Sequence, residues 1–187
     1  LYIMIKKIDY SKYFKIISKN LQNFDYKKME SVRKKISSLN KDNKIILIGN
    51  GGSASISNHV AVDITKILKK RAITFNEPNL ITCFANDYGY EKWVEKALEA
   101  YALKDDIIIL ISSSGKSKNI INAAKYAKKK NIYVATFTGF KKNNPVSKLG
   151  NENLWINSTE YNIVEMVHHI WLLSIVDLIQ IKKNLKS

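Results

Sequence analysis

The chain has 187 residues, enough to bury one good core, and its seven glycines and two prolines form no linker that would divide it. A net charge of +15 raises nucleic-acid binding, but Arg33 and Arg71 are the only arginines and the lysines are scattered along the sequence. Arginine is the residue suited to bidentate phosphate and base readout, so the composition argues against a nucleic-acid partner and reads the lysines as solvated helix faces.

The single cysteine, Cys83, excludes an intrachain disulfide. In its apolar run it reads as a small buried core residue. Leu1-Tyr2-Ile3 ahead of Met4 reads as upstream read-through or a cloning scar. No secretory signal opens the chain, and no uncharged apolar run reaches transmembrane length, so the expectation is a cytoplasmic protein with no membrane partner.

Residues 10–40 are helical in pattern, with a break at Asn23-Phe24-Asp25. The first strand, 44–49, is wholly apolar and runs through Gly49-Asn50-Gly51-Gly52-Ser53 into a helix over 53–69. Such a junction gathers backbone N–H groups at the positive end of a helix dipole and suits an anion. It lacks the lysine of a nucleotide P-loop and the third glycine of a dinucleotide fold. Short strands are predicted near 72–75 and 80–85, then a helix over 88–102 opening at Asn86-Asp87, with Asp87 as a candidate cap. A buried strand over 106–111 ends in Ser112-Ser113-Ser114-Gly115-Lys116-Ser117 and leads into a helix over 117–130. Four hydroxyls in six residues exceed what an N-cap needs and predict a phosphate grip. Lys116 reads equally well as a phosphate ligand or a solvated side chain.

Strands at 131–137 and 153–156 and a long helix over 160–183 complete the pattern. Alternating helices and apolar strands predict an α/β fold with a parallel sheet covered on both faces. The last helix is apolar nearly all round, which predicts burial within the fold or against another subunit. Within it Glu165 and His169 are four residues apart, with His168 beside them, and His59 and Asp63 have the same spacing on the helix after the first turn. Each pair combines a carboxylate with an imidazole, groups suited to proton transfer near neutral pH or to binding zinc or iron. A helical i,i+4 hydrogen bond would explain either pair without chemistry.

Gly-Asn-Gly-Gly-Ser-Ala at 49–54, His59 with an acid at 63, Ala-Asn-Asp-Tyr-Gly-Tyr-Glu at 85–91 and Ser-Ser-Ser-Gly-Lys-Ser at 112–117 occur in order. In these motifs the chain resembles the SIS (sugar isomerase) domain family, and within it the phosphoheptose isomerase branch, over about residues 10–183. The resemblance implies one SIS domain over 1–187, a flavodoxin-like three-layer α/β/α sandwich around a five-stranded parallel sheet. It also implies a homotetramer with active sites between subunits. The implied activity converts sedoheptulose 7-phosphate to a heptose 7-phosphate for lipopolysaccharide or capsule heptose. It implies substrate binding by Asn50, Gly51, Gly52, Ser53, Asn86 and Asp87, with phosphate held by Ser112, Ser113, Ser114 and Ser117. Asp63 then stands at the family's catalytic glutamate and His59 at its metal-binding histidine, Glu165 resembles the helix glutamate that other SIS isomerases use as base, and His169, one turn on, is a catalytic candidate by its spacing.

The family's zinc would fall to His59, Asp63 and Glu165. This chain departs from the family pattern in three places: Asp63 stands for a glutamate, Glu165 for a glutamine, and Leu173 for the family's last histidine, a zinc ligand and proton-transfer group. The altered set leaves a second reading open, a non-catalytic SIS-domain protein that binds sugar phosphates as a regulator or associates with a replication initiator.

Overall fold

The computed structural model describes residues 9–185, and the reading of Leu1 to Met4 lies outside them. Two helices come first, α1 (Tyr10–Gln22) and α2 (Tyr26–Ser37). The Asp9 and Asp25 side chains cap them, accepting from the backbone N–H groups of Lys12 and Lys28. The break expected at 23–25 is therefore present, with Asp25 starting the second helix.

Five strands follow: β1 (Lys44–Gly49), β2 (Arg71–Thr74), β3 (Ile107–Ser112), β4 (Tyr133–Thr138) and β5 (Glu152–Trp155). All pair in parallel in the order β2-β1-β3-β4-β5. Between them run α3 (Gly52–Leu68), α4 (Pro78–Tyr88), α5 (Trp93–Tyr101) and α6 (Lys118–Lys129), and α7 (Tyr161–Asn184) closes the described fold. Every residue of β1 and β3 is buried. Their side chains alternate between two cores: Ile45, Leu47, Ile107 and Ile109 pack with α2, α3 and α7, while Ile46, Ile48, Ile108 and Leu110 pack with α5 and α6. These layers are the expected three-layer sandwich.

The segment 80–85 is a correction. It is helical, not a strand, and forms the middle of α4. Pro78 sits in the first turn with its φ already suited to a helix, and Glu77 accepts from the Leu80 N–H at 2.7 Å. Leu80, Ile81, Phe84 and Ala85 then fall on one face against the second core. A six-residue apolar run reads equally as strand or helix, and the capping decided it. Asn86 and Asp87 consequently end a helix, and the next helix starts only at Trp93 after Gly89, whose φ of +82° closes α4. Cys83 is on the outer face of α4 and exposed, contrary to the buried position expected.

The buried pair Lys44–Asp106 has no sequence signature. Asp106 is fully buried and accepts from the Lys44 ammonium at 2.6 Å, the Lys44 N–H at 3.0 Å and the Leu103 N–H at 2.8 Å. It ties the starts of the two central strands together. α7 is long and apolar enough to cross a bilayer by length and composition, yet half of its apolar window is buried inside the protein.

Candidate active site

The sheet order reverses between β1 and β3, and the Gly-Asn-Gly-Gly turn and the seryl turn both lie at the C-terminal ends of those strands. That crevice is where open α/β sheets bind ligands. A cleft of about 100 Å³ opens there, lined by Asn50, Ser53, the serines of 112–114, Ser117, Tyr161 and Glu165.

Each wall has a local cause. Gly51 caps α3 at φ +55°, ψ −123°, a conformation open mainly to glycine. Gly52 follows, and the Glu165 carboxyl group lies where a side chain on it would go. The anion over the start of α3 is thus the protein's own carboxyl group. Among the described residues it has no hydrogen-bond or ion-pair partner, and burial raises its pKa above the ordinary value.

The seryl turn is shaped by Gly115, at φ +62°, against which the buried Asn144 packs. Ser113 is buried and its hydroxyl has no partner. Ser117 begins α6, but its hydroxyl makes no capping bond. Capping therefore does not account for these hydroxyls, and both remain available to a ligand. Ser114 accepts from the Lys116 N–H at 3.3 Å, while the Lys116 side chain is exposed and outside the cleft lining.

Asn50 is held by a residue that the sequence does not single out. Its amide donates to the Asn119 carbonyl oxygen at 3.0 Å and accepts from the Asn119 amide at 2.9 Å, and Tyr90 donates to the same Asn50 oxygen at 3.4 Å. Asn119 is buried in the first turn of α6, where a polar residue reads as ordinary surface.

The remaining candidates stand apart from this cleft. His59 and His169 meet at 2.8 Å between His59 Nδ1 and His169 Nε2, with Asp63 3.5 Å from His59 Nε2. This row runs along the seam between α3 and α7. Burial, and then the facing His59, lower the His169 pKa, with Asp63 opposing. His168 is a core residue: fully buried, it donates from Nε2 to the Thr138 carbonyl at 3.2 Å. Asn86 and Asp87 are exposed at the end of α4 and bond each other.

His59, Asp63 and Glu165 do not converge on one point, so they do not fit the zinc ion the resemblance implies. His59 directs its ring nitrogens to His169 and Asp63, while Glu165 lies against Gly52. Among the described residues no group of three or more His, Cys, Asp or Glu side chains is placed to hold a metal. Leu173 packs against the core of the α3 and α7 layer.

The geometry has clear relatives. The family model for the SIS domain matches residues 9–139. The phosphoheptose isomerase of Cytophaga hutchinsonii is 38% identical over 130 residues, covering 64% of this chain and 68% of that protein. The probable phosphoheptose isomerase of Thermoplasma acidophilum is 32% identical over 169 residues, covering 86% of this chain and 92% of that protein. Among solved structures, the phosphoheptose isomerase of Neisseria gonorrhoeae superposes with a TM-score of 0.83 at 23% identity, over 91% of this chain and 94% of that one. That likeness carries the fold.

Proposed function

The chain belongs to the SIS-domain family, among the phosphoheptose isomerases, and from that premise we propose that it interconverts sedoheptulose 7-phosphate and a heptose 7-phosphate in the cytoplasm, supplying heptose for lipopolysaccharide or capsule. It is a sugar-phosphate isomerase, and its substrate is a small phosphosugar. The single observation that carries the residue assignment is Glu165. Its unpartnered, partly buried carboxyl group, with a raised pKa, shares one cleft with the seryl turn. A carboxylate tuned towards neutrality is the base that proton abstraction beside a carbonyl requires.

In this reading the phosphate rests on Ser113, Ser114 and Ser117, and Asn50, held by Asn119, presents its amide to the sugar. Glu165 takes the C1 proton of the ketose, leaving an enediol, and the resulting carboxylic acid returns the proton to C2. O1 loses a proton and O2 gains one. His169, one turn from Glu165 on α7, with His59 and Asp63 behind it, is the set available for the oxygen protons. No step is assigned to zinc.

The protein is one SIS domain per chain and assembles as a homotetramer with sites between subunits. The support is apolar surface on two helices, Phe14 on α1 with Ile170, Leu178 and Ile181 on α7, all exposed in a single copy. His59 is half-exposed and open to a neighbouring chain.

The test is turnover of sedoheptulose 7-phosphate in deuterium oxide, following both the aldose and the label at C2. Wild type should convert and exchange, and Glu165→Gln should lose about 10²–10⁴-fold in kcat. Full activity in both Glu165→Gln and Asp63→Asn would sink the assignment of the acids. Tight phosphosugar binding with no turnover by wild type would instead favour the non-catalytic reading.

A further inference from the structure

At the opposite edge of the sheet, where the strands begin, a second cavity lies between the end of α2, the turn from α3 into β2 and the last turns of α7. Its volume is about 730 Å³. Six lysines line it, among them Lys69, Lys70, Lys182 and Lys183, together with Arg33 and Arg71, the only two arginines of the sequence. Lysine and arginine make up 31 of 187 residues, so a lining of fourteen residues would hold two or three by chance; this one holds eight. No Asp or Glu lines it.

Helix ends explain part of this charge. α2, α3 and α7 all finish here, and each C-terminus carries about half a negative charge that a nearby cation offsets. Glu30 adds a carboxylate outside the lining, holding Arg33 through bonds of 2.6 and 2.7 Å. Those negative charges answer fewer than half of the eight cations.

Two more of the cations are also held in place. The Lys70 ammonium donates to the Leu39 carbonyl at 2.9 Å, and Arg71 donates to the Asp42 carbonyl at 3.0 Å. Lys69 adopts φ +56°, a left-handed conformation that a glycine would take at lower cost. Burial, and then the charge of Lys183, lower the pKa of Lys70, as expected of an ammonium whose charge is not balanced.

We propose that this cavity is a binding site for a compact anion carrying three or more phosphoryl groups, separate from the substrate cleft. Its size suits a small ligand. Its lining has no aromatic ring on which a nucleic-acid base could stack, which favours a phosphate-rich small molecule over a single strand. Arginine and lysine in one concave site match phosphate in both geometry and charge.

The experiment is calorimetric titration of the full chain with inorganic tripolyphosphate, at low and at physiological salt. The expected result is one site per chain whose affinity falls steeply with salt. Lys70→Gln/Lys183→Gln and, separately, Arg71→Gln should each weaken it by about tenfold or more. Ser113→Ala should leave it unchanged. Both basic-site variants should keep a single cooperative melting transition, each losing one bond to a backbone carbonyl while relieving like-charge repulsion. The proposal is overturned by wild-type affinity in both variants, or by loss of binding in Ser113→Ala, which would place the anion in the substrate cleft. It is equally overturned if a 30-nucleotide single strand displaces tripolyphosphate at far lower concentration, which would make the surface a nucleic-acid site.

Discussion

The carboxyl group of Glu165 occupies the space where a side chain on Gly52 would stand: a Cβ there would lie 2.8 Å from the carboxyl carbon. Any side chain at this position would displace an acid 113 residues away in the sequence. Gly52→Ala should push the carboxyl group out of the cleft while leaving the helix intact. Because placement errors of about 1 Å matter at a reacting centre, kcat should fall by about 10²-fold with a smaller change in KM. Unchanged kcat would show that Glu165 need not be where it is found.

The raised pKa of Glu165 sets the direction of the acid limb of the pH profile. A base must be ionised, so kcat should decline as pH falls through a value above that of an ordinary carboxylate. In Glu165→Asp, whose shorter arm brings the acid away from Gly52, residual activity should show that limb displaced. A limb at the ordinary carboxylate value in wild type would contradict the buried environment.

Ser113 carries a buried hydroxyl without a partner. Replacing it with alanine removes an unsatisfied group, so Ser113→Ala should be as stable as wild type or slightly more so, by up to about 1 kcal/mol. Phosphosugar affinity should drop by about tenfold or more, the loss of one hydrogen bond to a charged group. A variant that is destabilised and binds normally would assign the hydroxyl to structure instead.

His168 makes stability depend on pH. Packed against Phe137 and Trp171 and bonded to Thr138, it has a pKa driven down to about 4 by burial. In the unfolded chain a histidine titrates near 6.5, so between those values the unfolded state binds the extra proton. The contribution is therefore complete above about pH 6.5 and is lost as pH falls towards about 4, a difference on the order of 3 kcal/mol. Denaturant titrations at pH 7.5 and 5 should show this loss in wild type and a smaller one in His168→Leu.

Asp106 carries a different pH dependence. Burial alone would raise its pKa, but the Lys44 ammonium and the N–H groups of Leu103 and Lys44 outweigh it and hold it below its ordinary value. A depressed carboxylate stabilises the fold above its unfolded pKa and ceases to as pH drops through the lower folded value. Asp106→Ala would strand the buried Lys44 charge and should cost about 3–5 kcal/mol, read from urea midpoints at neutral pH. Loss of less than about 1 kcal/mol would mean that water reaches the lysine.

The sequence by itself determined the layer order, the two small-residue turns that line the cleft and the family, because each is written in local patterns along the chain. An apolar strand that ends in small residues and opens a helix is a local pattern, and so is the pairing of Glu165 with His169 or of His59 with Asp63 at helical spacing. Local ambiguity misassigned 80–85, since a short apolar run fits either period, and with it Cys83. Only the tertiary structure decided what depends on distant segments meeting: Asn119 holding Asn50, Lys44 pairing with Asp106, Glu165 lying against Gly52, and His59 meeting His169. It also gathered lysines that look scattered along the chain into one basin with both arginines. Sequence spacing records which side chains share a helix face, whereas the separation between two helices is set by how their cores pack.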